Sequence, residues 1–193
     1  MTKTAVITGA SSGIGRALAW SLGREGYALG LVARRRERLA ALVAELREAG
    51  FEAAFQVADI QARSETHAAL RRLEAELGPT ELLILNAGIA RNTPAFALDG
   101  EGFEAEVRTN LLGAFYPLEV VIPGMAERGR GHVVAITSVA GWIALPGEGG
   151  YCATKAGLTR LFESLRVDWA TQGIHTTIVH PGFVDTEIVA DAD

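Results

Sequence analysis

The sequence predicts an α/β protein in which helices cover both faces of a parallel, doubly wound sheet. Short apolar runs alternate along the chain with longer segments whose apolar residues recur at helical spacing. The short runs are continuously apolar, which is typical of strands buried on both faces. The length of 193 residues fits one domain. We therefore expect a single domain spanning residues 1–193.

Six apolar runs are predicted to be strands, at residues 4–8, 28–33, 53–57, 81–85, 131–137 and 175–179. Helical spacing predicts helices at 14–25, around 39–46, and at 64–77, 103–125 and 153–170. Asn110 and Pro117 fit the fourth helix poorly, so we expect a kink at the proline and a functional reason for the asparagine. The acidic residues Asp99, Glu101, Glu104 and Glu106 are interpreted as favourable charges near the start of that helix.

The ends of the predicted strands carry small or polar residues. These residues are Gly9, Ala33, Asp59, Asn86, Ser138 and Pro181. Ligands of doubly wound sheets bind outside the carboxyl ends of the strands. We therefore expect these six residues to line one edge of the sheet.

The turn after the first strand has the spacing GxxxGxG, from Gly9 to Gly15. Small residues allow a pyrophosphate to approach the backbone, and a helix N-terminus offers free N–H groups to it. The spacing differs from the better-known GxGxxG of dinucleotide sites. The alternative is a glycine-rich connection that binds no ligand.

The second strand ends at Ala33 and is followed by three arginines, beginning with Arg34. An acidic residue at the end of this strand would bind the ribose 2′-hydroxyl of NAD, whereas arginine suits a 2′-phosphate. Cations are also disfavoured at a helix start, which supports a ligand for them. The pattern predicts NADP(H) rather than NAD(H), although a solvated helix start remains the alternative.

Tyr151 and Lys155 are four residues apart at the start of a predicted helix and would share one face of it. A neighbouring ammonium stabilises phenolate, so we expect Lys155 to lower the pKa of Tyr151 from its usual value of about 10. Such a tyrosine is a usable general acid or base. Of 18 basic residues, only Lys3 and Lys155 are lysines, which suggests a chemical reason for Lys155. The alternative is a surface tyrosine beside a solvated lysine.

Composition excludes several classes of function. The net charge of −5 argues against nucleic acid as a partner, and no apolar run approaches a membrane span of about 20 residues. One cysteine, Cys152, fits a reducing compartment, and a strand begins too early to leave room for a signal peptide. The four histidines lack metal-ligand spacing, so we predict no metal site. These observations predict a cytoplasmic protein.

Taken together, the motifs resemble the classical short-chain dehydrogenase/reductases over essentially the whole chain. The resemblance rests on Thr8-Gly9-xxx-Gly13-Ile14-Gly15, Asp59, Asn86-Ala87-Gly88, Asn110, Ser138, Tyr151-xxx-Lys155, and Pro181-Gly182 with Thr186. It implies a Rossmann fold with strand order 3-2-1-4-5-6. It also implies hydride transfer between a nicotinamide and a carbonyl or secondary alcohol.

The resemblance implies four catalytic residues. Tyr151 would be the general acid in reduction and the general base in oxidation. Lys155 would lower its pKa and bind the nicotinamide ribose, and Ser138 would polarise the substrate oxygen. Asn110 would hold a water that links Lys155 to solvent.

The resemblance also implies a cofactor-binding set. Its members are Gly9, Ser11, Ser12, Gly13, Ile14, Gly15, Arg34, Asp59, Ile60, Asn86, Ala87, Gly88, Tyr151, Lys155, Pro181, Gly182 and Thr186. Asp59 would face the adenine, Asn86 would fix the central strands, and Thr186 would contact the nicotinamide carboxamide. Ser12 stands where many NADP-dependent members carry a basic residue.

Family members usually continue past the Pro-Gly turn into a substrate lid and a seventh strand, whereas this sequence ends at Asp193. We expect the domain 1–193 to lack both, and the alternatives are an incomplete sequence, a disordered tail or a shortened family member. The expected pocket wall is apolar and comprises Ile143, Ala144, Leu145, Phe183 and Val184. The resemblance favours a homodimer or homotetramer. The alternative functions are a catalytically silent dinucleotide-binding sensor or scaffold, and an epimerase or dehydratase.

Overall fold

A computed structural model describes residues 3–186 of the chain. One sheet contains six strands, β1 Thr4–Thr8, β2 Ala28–Ala33, β3 Ala53–Val57, β4 Thr80–Leu85, β5 Gly131–Ile136 and β6 Ile174–Val179. All neighbouring strands are parallel, in the order β3-β2-β1-β4-β5-β6. This order confirms the predicted Rossmann topology, and β6 forms one edge of the described sheet.

Six α-helices connect or follow the strands. They are α1 Gly13–Arg24, α2 Arg36–Glu48, α3 Arg63–Leu77, α4 Gly100–Glu106, α5 Gly113–Arg128 and α6 Gly149–Ala170. A π-helical segment, Val107–Leu112, joins α4 to α5, and a 3₁₀ turn, Val139–Gly141, precedes α6. Among residues 3–186, no helix is both long and apolar enough to cross a membrane.

The helices bury both faces of the sheet. Alternate residues of β1 point to opposite sides, so Val6 joins one apolar cluster while Ile7 joins the other. The first cluster contains residues of α3, α5 and α6, including Leu70, Leu118 and Phe162. The second contains residues of α1 and α2, including Ala19, Leu39 and Leu42. The expected layer of helices on each face is confirmed.

The predicted strands agree with the observed ones to within one residue. The main difference is the helix predicted at 103–125, which is divided by the π-helical segment. Asn110 lies in this segment and is fully buried, so the irregularity surrounds the asparagine rather than beginning at Pro117, which lies inside α5. The last helix also starts earlier than predicted, at Gly149, because glycine has weak helix propensity and conceals the helix start.

Candidate active site

A cavity of about 370 Å³ opens at the carboxyl edge of the sheet. Its lining includes all six residues expected from the strand ends, namely Gly9, Ala33, Asp59, Asn86, Ser138 and Pro181. The expectation that they share one edge is confirmed. Because these residues come from every strand of the sheet, the topology itself assembles the site.

The glycine-rich turn lies very close to the end of β4. Gly9 has a φ of +66°, and a Cβ there would lie 2.7 Å from the Cα of Ala87. A side chain at Gly15 would collide with the carbonyl oxygen of Gly9 and with the amide of Asn86. The turn therefore requires glycine for its conformation and for its approach to the next strand.

Thr8 and Asn86 hold this turn against β4. The Thr8 Oγ1 accepts hydrogen bonds from the backbone N–H groups of Asn86 and Ala87, at 3.1 and 3.2 Å. The Asn86 Nδ2 donates to the carbonyl oxygens of Thr8 and Gly9, at 3.2 and 3.1 Å. The family role expected of Asn86, fixing the central strands beside the cofactor site, agrees with this geometry.

The arginines after β2 lie at the far end of the cavity. Arg34 lines it, as does Arg35, and both are exposed. Arg35 Nη2 donates to the hydroxyls of Ser11 and Ser12, at 3.0 and 2.6 Å. Sequence reasoning assigned Arg34 alone, although Arg35 belongs to the same basic cluster. The guanidinium of Arg35 thus reaches Ser12, the position where many NADP-dependent family members carry a basic residue.

Asp59 and Ile60 line the same part of the cavity. The Asp59 Oδ1 accepts a hydrogen bond from the Gln61 backbone N–H at 3.0 Å, which braces the turn into α3. Ile60 packs against Gly113, where a Cβ would lie 2.9 Å from its Cγ2. Both residues therefore line the cavity, one polar and one apolar, and their contacts with a cofactor stay a prediction.

Tyr151 and Lys155 lie in the first two turns of α6, and both line the cavity. The Lys155 Nζ lies 5.6 Å from the centroid of the Tyr151 ring and donates to the carbonyl oxygen of Ile136 at 3.0 Å. Lys155 is only 3% exposed. Burial disfavours its charge and lowers its pKa to about 8. The alternative of a solvated lysine is thereby excluded.

The predicted direction of the Tyr151 pKa is wrong for this structure. Burial, which disfavours the phenolate, raises its pKa above 10.0. A hydrogen bond with Ser138 lowers it, while the nearby charges of Glu148 and Glu106 raise it. Burial therefore raises the pKa of the Tyr151 phenol and lowers the pKa of the Lys155 ammonium. Helical spacing alone predicted neither effect of burial.

Ser138 caps the 3₁₀ turn directly after β5. Its Oγ accepts a hydrogen bond from the Ala140 backbone N–H at 3.1 Å, which fixes the side chain at the cavity wall. The residue is 8% exposed and lines the cavity beside Tyr151. The two hydroxyls that the resemblance assigns to the substrate oxygen are therefore neighbours in the structure.

Asn110 is buried behind the cavity and does not line it. Its Oδ1 accepts from the Ile89 N–H and its Nδ2 donates to the Ile89 carbonyl oxygen, both at 2.9 Å. The same Nδ2 donates to the Thr154 Oγ1 at 2.9 Å. The side chain thus ties α6 to the segment after β4. The water assigned to Asn110 stays a prediction.

The remaining predicted residues separate into two groups. The cavity is lined by Ser12, Gly13, Ile14, Ala87, Gly88, Gly182 and Thr186. Ser11 and Gly15 do not line it. Gly15 supports the turn by packing, and Ser11 acts through its contact with Arg35. Family motifs mark all of these positions alike, whereas the structure separates contact residues from supporting ones.

The substrate end of the cavity differs in part from the expected apolar wall. Leu145, Phe183 and Val184 line it, but Ile143 and Ala144 do not. Glu148, which sequence reasoning missed, also lines the cavity near Tyr151. The sequence signal that could have identified Glu148 is its position, three residues before Tyr151. Within residues 3–186, no group of three or more His, Cys, Asp or Glu side chains is arranged to hold a metal ion.

Together, the parallel sheet, the glycine-rich turn and the Ser138, Tyr151 and Lys155 cluster define the class of the protein as an oxidoreductase with a dinucleotide-binding fold. The chain matches the family model of the short chain dehydrogenases over residues 3–193. An uncharacterised oxidoreductase of Myxococcus xanthus is 40% identical over 188 residues, which cover 97% of this chain and 74% of that protein. The chain therefore belongs to the short-chain dehydrogenase family, whose enzymes act on CH–OH or carbonyl groups.

Solved structures agree with this assignment. The fold superimposes on a crystal structure of actinorhodin polyketide ketoreductase with NADPH, at a TM-score of 0.94 and 35% identity, over 98% of this chain and 73% of that one. It matches equally well a short chain dehydrogenase/reductase from Burkholderia phymatum in complex with NAD, at a TM-score of 0.94 and 30% identity, over 98% and 69% of the two chains. Structural likeness alone therefore does not separate the two cofactors.

Proposed function

We propose that this protein is an NADP(H)-dependent oxidoreductase that transfers a hydride between the nicotinamide and a carbonyl compound or secondary alcohol. The observation that carries the proposal is the single cavity shared by Tyr151, Ser138 and Lys155 with the glycine-rich turn. A proton donor, a hydrogen-bond donor and a buried cation that share one cavity at the strand ends, where dinucleotide folds bind their ligands, support this reaction.

The residues present fit the cofactor. The turn from Gly9 to Gly13 holds both glycines at positive φ, +66° and +51°, and has no bulky side chain toward the cavity. Arg34 and Arg35 line the cavity just after β2, where such folds bind the ribose, and Ala33 offers no carboxylate that would repel a 2′-phosphate. These features support NADP(H) over NAD(H). When bound, the cofactor supplies or accepts the hydride.

The chain's own residues handle the proton. Because burial raises its pKa, Tyr151 is protonated at neutral pH and can donate its phenolic proton to a substrate oxygen during reduction. In oxidation the phenolate form would accept that proton, and the raised pKa disfavours this form at neutral pH. Ser138 donates a hydrogen bond to the same oxygen, and Lys155, with a pKa of about 8, is mostly charged at pH 7 and stabilises negative charge forming on the phenol.

The substrate that the cavity favours is a neutral small molecule, apolar near the reacting carbon. Leu145, Phe183 and Val184 form the apolar part of the wall, and Glu148 would repel a carboxylate or phosphate. We further propose a cytoplasmic homodimer or homotetramer. Phe115 and Val167, on α5 and α6, are exposed apolar residues that such an interface would bury.

The test is NADPH consumption by the purified 193-residue protein with a panel of neutral ketones, run in parallel with NADH. We expect turnover with NADPH, and slower turnover by Ser138→Ala at unchanged NADPH affinity. Tight NADPH binding without turnover of any ketone would instead favour the silent sensor or scaffold. Faster turnover with NADH would overturn the cofactor assignment while leaving the reaction class intact.

A further inference from the structure

Glu106, at the end of α4, is a buried acid that the catalytic set does not include. It is 1% exposed, whereas the sequence suggested only a favourable charge near a helix start. Its Oε1 accepts a hydrogen bond from the backbone N–H of Arg91 at 2.9 Å. Its Oε2 is buried and makes no hydrogen bond within residues 3–186. Buried carboxyl oxygens without partners are unusual and call for a specific explanation.

The carboxyl group lies directly against the start of the catalytic helix. A side chain on Gly150 would collide with the Glu106 Oε2, so this oxygen occupies the space beside the residue that precedes Tyr151. On its other side, Glu106 holds residues 91–93, which follow the end of β4. The same segment contains Thr93, whose N–H donates to the Gly147 carbonyl oxygen at 2.6 Å.

These contacts connect α4, residues 91–93 and the segment that leads into α6, where Tyr151 lies. Residues 91–93 are held between Glu106 and the turn at Gly147, and that turn leads directly into α6. The Glu106 carboxyl group contacts both the backbone of Arg91 and Gly150 in the first turn of α6. Its removal would take away the hydrogen bond to the Arg91 N–H and the contact at Gly150, while Phe103 still packs against Gly150.

Charged groups face Glu106 from each neighbouring segment. Burial is the largest influence and raises its pKa, and the charges of Glu148 and Asp99 raise it further. The N–H and the charge of Arg91 lower it. In return, the Glu106 carboxylate raises the pKa of Tyr151. The carboxyl group is therefore coupled electrostatically to Tyr151 and packs beside Gly150, the residue that precedes it.

We propose that Glu106 is a positioning residue that ties residues 91–93 to the first turn of α6 and so sets the location of Tyr151. The proposal rests on the function proposed above, in which Tyr151 exchanges the substrate proton. Glu106 itself touches neither the cavity nor the reacting atoms.

Two measurements that need no substrate test this role. Hydrogen exchange of the Arg91 amide, followed by NMR, should be about five-fold faster or more in Glu106→Ala, since the acceptor of its hydrogen bond is lost. Glu106→Gln retains an acceptor oxygen and should stay within two-fold of the wild type. Glu104→Gln, on the exposed face of the same helix, is the matched control and should change nothing.

The second measurement is the pKa of Tyr151, from ¹³C-tyrosine NMR assigned with Tyr151→Phe. The chain has three tyrosines, which makes the assignment tractable. Glu106→Gln should lower the pKa because it removes a nearby negative charge, and Glu104→Gln should not. With NADPH and a neutral probe ketone such as ethyl acetoacetate, Glu106→Ala should lose about ten-fold in kcat, and Glu106→Gln should recover most of it.

The outcomes separate this inference from the proposed function. An Arg91 amide that exchanges at the wild-type rate in Glu106→Ala, or equal Tyr151 pKa values in Glu106→Gln and Glu104→Gln, would overturn the positioning role. Absence of ketone reduction by the wild type would overturn the proposed function instead. In that case the exchange and titration results still decide whether Glu106 holds the tyrosine.

Discussion

Replacing Lys155 with methionine should make the protein more stable while removing its activity. Methionine is close to lysine in length and apolar, so it fills the same buried space without a charge. In the folded protein the pKa of Lys155 is lowered by burial from 10.5 to about 8. At pH 7 the folded chain therefore carries a buried ammonium that its surroundings disfavour, and Lys155→Met removes it.

The pKa gives the size of the effect. At 1.36 kcal/mol per pKa unit, a pKa lowered from 10.5 to about 8 corresponds to a penalty of about 3 kcal/mol at pH 7. The variant also loses the hydrogen bond from Nζ to the Ile136 carbonyl oxygen, which offsets about 1 kcal/mol. The net gain is about 2 kcal/mol, or roughly 4–8 °C in Tm for a domain of this size.

The sign of the pH dependence follows from proton binding. Between about pH 8 and 10.5 the unfolded chain keeps the lysine proton and the folded chain releases it, so wild-type stability rises with pH across this window. The advantage of Lys155→Met should therefore be full below pH 8, vanish between pH 8 and 10.5, and become a deficit of about 1 kcal/mol by about pH 10.5. Urea unfolding at several pH values measures this difference directly.

Lys3→Met is the matched control, because Lys3 is the other lysine of the chain and is exposed. It should leave both stability and its pH dependence within about 0.5 kcal/mol of the wild type. A Lys155→Met variant that is less stable than wild type at pH 7, or whose stability difference does not vary between pH 8 and 10.5, would refute the reasoning.

Two further predictions concern the cofactor end of the cavity. Thr8→Val leaves two N–H groups after β4 without their acceptor and should lower the free energy of unfolding by about 2–4 kcal/mol, whereas Thr8→Ser should stay within about 1 kcal/mol; equal urea midpoints for Val and Ser would contradict this. Combined replacement of Arg34 and Arg35 by alanine should weaken NADPH binding about 10–100-fold and NADH binding much less, as measured by fluorescence titration, and equal losses would exclude 2′-phosphate recognition by these arginines.

The fold could be predicted from the sequence because its strands correspond to continuous apolar runs. A sheet that is buried on both faces requires such runs. Their alternation with segments of helical spacing is compatible with only a few chain topologies. The glycine-rich turn is visible for a similar reason, since Gly9 adopts a conformation that other residues rarely tolerate. Local rules therefore determine the position of each strand end, and with it the location of the site.

The predictions that were wrong or absent concern residues whose role depends on their three-dimensional surroundings. Spacing could not show which arginine reaches Ser12, because Arg34 and Arg35 are adjacent and the direction of each side chain depends on the turn. Nor could it show that burial, rather than Lys155, dominates the pKa of Tyr151. Glu106 illustrates the same limit, because a carboxylate in a helical pattern is usually solvated and only packing reveals otherwise.

Asn110 is an intermediate case. Its poor helix propensity correctly marked an irregular position, and the structure shows a π-helical segment there. The sequence could not indicate that the Asn110 side chain would form hydrogen bonds with Ile89 and Thr154. An asparagine inside a helical pattern thus indicates that its position is constrained, but it does not indicate which contacts the side chain makes.

The measurement that tests the central claim most directly is the turnover of Tyr151→Phe beside its affinity for NADPH. Phenylalanine keeps the ring and removes only the hydroxyl, so NADPH binding should stay within about two-fold of the wild type. The rate of NADPH-dependent ketone reduction should fall by about 10²–10⁴-fold, the usual contribution of a general acid. A variant that binds NADPH and retains wild-type turnover would contradict the assignment of Tyr151 as the proton donor.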